Sequence, residues 1–132
     1  EAYRVLKPGG RLAVAAWLAG DAPSGWEIRH LLRPICEEWR LPSMGTRGDY
    51  AALAAGAGFR LAGYEDLSRQ VVRTWDICLA AMLKALATDP DIRRMARQAR
   101  NRDFALSVPR LALAYRTGAM RYGLFAFEKP VA

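Results

Sequence analysis

The stretch EAYRVLKPGGRLAVAAW, residues 1–17, decides the fold. Its first six residues are typical of the end of a helix. Lys7-Pro8-Gly9-Gly10 stops that helix, because proline cannot continue it and glycine supplies a positive φ. Residues 11–17 are then mostly apolar on both faces, as in a buried strand. This segment therefore predicts a helix, a sharp turn and a buried strand in this order.

The segment after this strand predicts a distorted helix. Ser24 and Glu27 have the S-x-x-E spacing of a capping box, in which the serine oxygen and the glutamate satisfy each other's backbone amides. The helix is predicted to run to about Arg40, and Pro34 is expected to kink it. Trp26 and Trp39 are predicted to pack in the core or, alternatively, to contact a ligand.

The remaining chain alternates between helices and two further strands. A short helix is expected to begin after Thr46, and Asp89-Pro90 should start another, since proline suits the first helical position. The predicted elements are a strand at 59–66, helices at about 74–88, 90–101 and 107–118, and a strand at 120–129. Together these predict one domain with helical insertions at about 24–40 and 74–118.

Composition excludes several classes of protein. The 132 residues carry 20 Lys and Arg against 13 Asp and Glu, a net charge of +7, and 52% of them are hydrophobic, which argues against disorder. No apolar run approaches the roughly 18 residues that span a bilayer, so membrane insertion is not expected. Arginines 93, 94, 97, 100 and 102 form either a solvated helix face or a polyanion site. Abundant Ala and Arg otherwise indicate the composition of a bacterial-type genome.

Metal and disulfide chemistry have little support. Cys36 and Cys78 are isolated and His30 is the only histidine, so no zinc site is predicted. Both cysteines fall in apolar helical patterns, which predicts two core thiols in a reducing, cytoplasmic protein.

Several of these segments resemble class I S-adenosylmethionine-dependent methyltransferases. The pattern R-x-L-K-P-G-G followed by an apolar strand is similar to the entry of that family's fifth strand. The closing residues 122–130, YGLFAFEKP, are similar to its seventh strand. The middle, through Trp17, Ile35-Cys36, Leu41-Pro42, Asp49-Tyr50 and 65–68, resembles the γ-tocopherol methyltransferase group of small-molecule enzymes. The resemblance covers the whole chain but only the C-terminal half of the family's catalytic domain.

The resemblance implies a fold, and it implies that the cofactor is bound by a different half of the family's domain. It implies half of a seven-stranded Rossmann-like sheet, with strands in the order 5-7-6 and the last strand antiparallel. The family binds S-adenosylmethionine through a glycine-rich loop after its first strand, and no G-x-G-x-G occurs here. Pro8-Gly9-Gly10 precedes a strand instead of following one. The N-terminal cofactor-binding half is therefore expected to lie outside this chain, which is expected to bind no cofactor and to be inactive alone.

The same resemblance suggests residues for a small-molecule methyl acceptor. Trp17 ends a strand at the edge where open α/β sheets bind ligands. Trp26, Pro42 and Tyr50 belong to the segment that helps to cover the acceptor pocket in the family, and Trp75 belongs to its lid. Each has packing as the alternative reading. His30 is the candidate base if the acceptor must lose a proton, and the catalytic residue is otherwise unassigned.

Two other functions remain open from the sequence. One is a non-enzymatic binding module that retains this half-fold, and the other is a basic nucleic-acid-binding domain. The first strand, Arg11 to Trp17, has neither proline nor an inward charge beyond Arg11, so it lacks the usual protection of a sheet edge. We therefore expect self-association through the edge of residues 11–17. We do not expect a nucleic-acid partner.

Overall fold

The computed structural model describes residues 1–131, and of residues 99–105 it describes the backbone alone. The chain forms an antiparallel sheet flanked by helices. The strands are β1 (Arg11–Ala19), β2 (Arg60–Asp66) and β3 (Met120–Glu128). The helices are α1 (Ala2–Val5), α2 (Gly25–Glu27), α3 (Arg33–Glu38), α4 (Arg47–Gly56), α5 (Ser68–Thr88), α6 (Pro90–Arg97) and α7 (Ala99–Thr117).

The last strand lies in the middle of the sheet. The order is β1-β3-β2, and β3 is antiparallel to both neighbours. β1 pairs with it in unbroken register from Arg11 opposite Glu128 to Ala19 opposite Met120. The pairing of β2 with β3 shifts between Leu61 and Gly63, which marks a bulge. The predicted order of strands and the antiparallel last strand are confirmed.

Helices cover the two faces of the sheet unequally. On one face Phe125 and Phe127 pack with Leu18 and Phe59, next to α1 and α4. The other face is covered only at the Met120 end of β3, by a second buried cluster from the helical insertions. Away from that end, Ala13, Ala15 and Leu124 are exposed on this face. The alternating burial of β1 differs from the prediction of a strand buried on both faces.

The outer edge of β1 has no neighbouring strand in the described part of the chain. Lys129 N–H donates to Gly10 O at 2.9 Å and Gly20 N–H donates to Ala119 O at 2.8 Å, so the even-numbered residues face β3. In an antiparallel ladder the odd-numbered residues then direct their N–H and C=O groups away from β3. Only at the end of the strand is an outward group used, where Ala19 N–H donates to Gly45 O at 3.0 Å.

The helix after β1 begins as predicted and contains a π turn. Glu27 N–H donates to Ser24 Oγ at 3.2 Å and Ser24 N–H donates to Glu27 Oε2 at 2.7 Å, which confirms the capping box. Residues 28–32 are π-helical, and Arg33 N–H donates to Ile28 O. This wider turn comes immediately before Pro34, whose missing amide hydrogen would leave a gap in an α-helical ladder. The helix ends at Glu38, two residues before the predicted Arg40.

The boundaries of the second insertion differ from the prediction. α5 begins at Ser68 and not near residue 74, because Asp66 Oδ1 accepts the Ser68 N–H at 2.8 Å and caps the first turn. α6 ends at Arg97, where Gln98 is extended, and α7 begins at Ala99. Pro109 therefore lies inside α7 instead of in its first turn, in a helix held by buried residues such as Leu111.

Candidate functional site

A groove of about 360 Å³ runs along the open edge of β1 near its C-terminal end. Residues 14–17 of β1 form one wall of this groove. The rest of the lining comes from other elements: Leu41, Ser43, Met44, Tyr50 and Tyr122. Trp17 and Tyr50, which the sequence suggests as ligand-contacting residues, are thus brought together from elements more than 30 residues apart.

The groove is positioned by contacts to the sheet on both of its faces. Tyr122 lies opposite Trp17 in the register of β1 and β3. Tyr50 stacks on Phe125 with ring centroids 5.4 Å apart and planes 14° apart. The hydrogen bond from Ala19 N–H to Gly45 O holds the irregular linker against the end of β1, so that Met44 and Ser43 reach the groove.

Trp17 is fixed by two other tryptophans. Trp39 meets it edge to face at 5.2 Å between centroids, and Trp75 does the same at 6.2 Å. Trp75 therefore supports Trp17 and is not itself part of the groove wall. The indole Nε1 of Trp75 and the hydroxyl of Tyr115 are buried and have no hydrogen-bond partner in the part of the chain described.

Three other candidates do not line the groove. Pro42 is exposed and lies between two lining residues, Leu41 and Ser43. Trp26 is 54% exposed and lies beside the exposed His30, with ring centroids 5.5 Å apart. The expectation that Trp26 packs in the core is wrong, and Trp39 is also more exposed than predicted, at 40%.

The groove lining is uncharged. None of the residues that form it, within the chain as described, is a carboxylate, an imidazole or a cation. Its polar groups are the hydroxyls of Ser43, Tyr50 and Tyr122, set among aromatic and aliphatic side chains. Such a lining is typical of pockets for small apolar or aromatic molecules, which are oriented by a few hydrogen bonds. The hydroxyls are the side-chain groups of the described lining that could accept or donate a proton.

The cysteines and the glycine turn have structural roles. Cys36 and Cys78 are free thiols that are half-buried, not fully buried as predicted. Burial, followed by the charge of Glu37, raises the pKa of the Cys36 thiol, which keeps it protonated. At the turn before β1, Gly9 N–H donates to Lys129 O and Gly10 N–H to Lys7 O. Because these amides are already used, the turn does not fit the methionine moiety of a nucleotide cofactor.

Several residues of the groove, among them Tyr122, were not named as candidates from the sequence, whereas Met44 lies within the stretch 42–46 that was expected to approach an acceptor. Tyr122 could have been found, because antiparallel pairing of the first and last strands places it opposite Trp17. Met44 lies in an irregular linker, and no periodic pattern indicates where its side chain points. Of the arginine-rich stretch, Arg93, Arg94 and Arg97 are exposed, while the side chains of Arg100 and Arg102 lie outside the described residues.

Three features together define the class of protein: the order of the strands, the central antiparallel β3 and the groove at the end of β1. The chain has the fold of the C-terminal half of a class I S-adenosylmethionine-dependent methyltransferase, as its sequence resemblance implied. Within that class it is similar to the chloroplastic tocopherol O-methyltransferase of Arabidopsis thaliana, with 25% identity over 137 residues. That alignment covers 99% of this chain and 38% of the plant enzyme.

Solved structures show the same partial coverage. A protein assigned as a sarcosine dimethylglycine methyltransferase, from Galdieria sulphuraria, has a TM-score of 0.75 at 20% identity, covering 99% of this chain and 46% of that one. The mycolic acid cyclopropane synthase CmaA1, complexed with SAH and CTAB, has a TM-score of 0.78 at 17% identity, covering 97% and 47%. No protein-family model matches the chain. The chain thus spans less than half the length of these relatives.

Among the residues described, no helix combines the length and the apolarity that a bilayer crossing requires. The same residues contain no group of three or more His, Cys, Asp or Glu side chains that could hold a metal ion.

Proposed function

We propose that this chain is the acceptor-binding C-terminal part of an S-adenosylmethionine-dependent small-molecule methyltransferase. The observation that carries the proposal is the uncharged groove at the C-terminal end of β1, in a fold shared with such enzymes. Open α/β sheets bind their ligands at this end of the strands. The acceptor is a small molecule with an apolar or aromatic body, held by Trp17, Tyr50 and Tyr122.

The cofactor is proposed to be S-adenosylmethionine, bound mainly by residues outside this chain. Its sulfonium and carboxylate need polar anchors, and the groove offers only hydroxyls. The turn at Gly9 and Gly10 has no free amides to offer. The chain alone should therefore bind the cofactor weakly or not at all and should be inactive.

Methyl transfer from a sulfonium is an in-line displacement, so the main task of the acceptor half is positioning and exclusion of water. Trp17, braced by Trp39 and Trp75, provides a rigid wall for that purpose. The Trp75 Nε1 and the Tyr115 hydroxyl, which are buried and have no partner among the described residues, would gain partners from the remainder of the enzyme. The described lining of the groove contains no carboxylate or imidazole to act as a base, and His30, Trp26 and Pro42 lie outside it.

The upstream coding sequence gives the first test. A glycine-rich loop following an upstream strand supports the proposal, and its absence would favour a binding module without catalysis. In the longer protein, Trp17→Ala and Trp75→Ala should raise the acceptor KM more than the cofactor Kd. Trp26→Ala is the matched control, because it removes an exposed tryptophan that does not line the groove. Equal effects of all three variants would contradict the assignment of the groove.

The remaining features fit this function without a macromolecular partner. We propose that the chain binds no nucleic acid and that it works in a reducing cytoplasm, since Cys36 and Cys78 are unpaired. Retention on DNA or RNA at low salt that disappears as salt is raised would contradict the first statement. We also propose that the chain self-associates through the open edge of β1.

A further inference from the structure

A second recess, separate from the groove, lies at the other side of the end of β1. It measures about 150 Å³ and shares no lining residue with the groove. Four charged side chains line it: Asp21 after β1, Arg47 at the start of α4, Asp66 at the end of β2, and Arg121 in β3. Tyr64 of β2 lies among them.

The floor of this recess, formed by Leu18 and Tyr64, is closely packed because position 123 is a glycine. A Cβ atom at Gly123 would lie 2.7 Å from Leu18 Cδ1 and 2.7 Å from Tyr64 Cε2. Leu18 and Tyr64 therefore approach each other across β3 only because that position has no side chain. The floor is held by the sheet and does not depend on a loop.

Two of the four charges are already paired with each other. Asp66 Oδ2 accepts from Arg121 Nη1 at 3.3 Å, and its Oδ1 accepts the Ser68 N–H at 2.8 Å. The pair is held in place because Asp66 also caps α5. Arg121 and Asp66 thus contribute fixed charges that cancel.

The other two charges have no ionic partner among the described residues. The Arg47 guanidinium lies over the Tyr64 ring, with Cζ 4.3 Å from the centroid, which leaves its N–H groups available. Asp21 is exposed and makes no ion pair. Both nevertheless act on the same hydroxyl. The pKa of Tyr64 is raised above its ordinary value, mainly by burial and further by the charges of Asp66 and Asp21. The charges of Arg47 and Arg121 partly offset this rise.

We propose that this recess binds a small zwitterion of the α-amino-acid type, with its carboxylate on Arg47 and its ammonium on Asp21. The lining carries two cations and two anions, so a simple anion or a simple cation would meet as much repulsion as attraction. A zwitterion satisfies the unpaired guanidinium and the unpaired carboxylate together. The volume suits it as well, since 150 Å³ is about five times the share of one liquid water molecule.

This binding site does not depend on methyl transfer. It can be tested on the chain alone, and its failure would leave the proposed acceptor groove untouched. Glycine is the probe, and acetate and methylammonium are its two halves offered separately. Titration of the 15N-labelled chain, followed by NMR, reports the affinity and the residues that respond.

Glycine should produce saturable shifts at Leu18, Ala19, Arg47 and Tyr64, and should bind more tightly than either half. Arg47→Gln and Asp21→Asn should each weaken it about fivefold to tenfold. Arg29→Gln and Asp91→Asn are the matched controls, because they make the same charge changes on exposed residues outside the recess. They should leave the affinity within about twofold.

Three results would overturn the proposal. They are the absence of saturable shifts, an affinity for acetate equal to that for glycine, and an equal loss of affinity in Arg47→Gln and Arg29→Gln. The first result would show that the recess does not bind the zwitterion. The second would show that it binds simple anions, and the third that the affinity depends only on the net charge of the protein.

Discussion

Replacing Ala15 by proline should disrupt the self-association of this chain while preserving its fold. The amide of Ala15 is one of the odd-numbered groups that face away from β3, so it makes no hydrogen bond within the sheet. Proline at an edge strand is tolerated where its missing N–H would face solvent. The substitution therefore removes a donor only from the surface that a second copy would use.

The size of the effect follows from the geometry of paired edges. When two copies pair their β1 edges across a two-fold axis, each Ala15 N–H donates one hydrogen bond, so the variant loses two bonds in each dimer. At roughly 1 kcal/mol net per bond, the loss is about 2 kcal/mol. That corresponds to an increase in the dimer Kd of about 30-fold.

Sedimentation equilibrium over a dilution series measures this Kd directly. Ala15→Ser is the matched control, since it changes the side chain and keeps the amide, and it should dimerise like the parent chain. Thermal unfolding of Ala15→Pro verifies that the sheet persists. A parent chain that stays monomeric, or a folded Ala15→Pro variant with an unchanged Kd, would refute the reasoning.

Three further predictions concern single side chains. In the longer enzyme, Trp17→Ala should raise the acceptor KM and leave the cofactor Kd near its original value, as steady-state kinetics and calorimetry would show. Glu38→Ala should lower the free energy of unfolding in urea by about 3 kcal/mol, because the Glu38 side chain is 10% exposed and its loss leaves Arg110 partly buried without its carboxylate. Asp76→Ala breaks the more exposed pair with Arg116 and should cost less than about 1 kcal/mol, so equal costs would contradict this account. Although partial burial opposes it, hydrogen bonds from Ser68 and charge from Arg121 hold the pKa of Asp66 below its ordinary 3.8. Asp66 therefore stabilises the fold above its ordinary pKa and loses this contribution as the pH falls through the lowered value, so Asp66→Asn should reduce the loss of stability to urea that occurs as the pH falls below about 4.

The positions of the strands along the chain could be predicted because they depend on strong local signals. The Lys7-Pro8-Gly9-Gly10 stop fixes where β1 begins, and the apolar centre of β3 identifies a strand near the end of the chain. The resemblance then supplied the order, which no local pattern contains. Helix boundaries were predicted less well. The start of α5 depends on a hydrogen bond from the Ser68 amide to Asp66, across the join of a strand and a helix.

The candidate site was predictable only where it coincided with the sheet. Trp17 lines the groove because the end of a strand has a defined position in the sheet. Tyr50 lines it because its ring stacks on the central strand. Trp26 was expected in the core or against a ligand, and no periodic pattern decided between the two; it lies exposed at the start of the helix, beside His30.

The edge of β1 serves two proposed partners with the same four residues, 14–17. A ligand seated in the groove beside Trp17 and a second strand laid along Ala15 would compete for one surface, so the two equilibria are thermodynamically linked. A groove ligand should shift the population toward monomer, and its apparent affinity should fall as the protein concentration rises. Concentration-dependent binding would thus report the occupancy of this edge without any structural measurement.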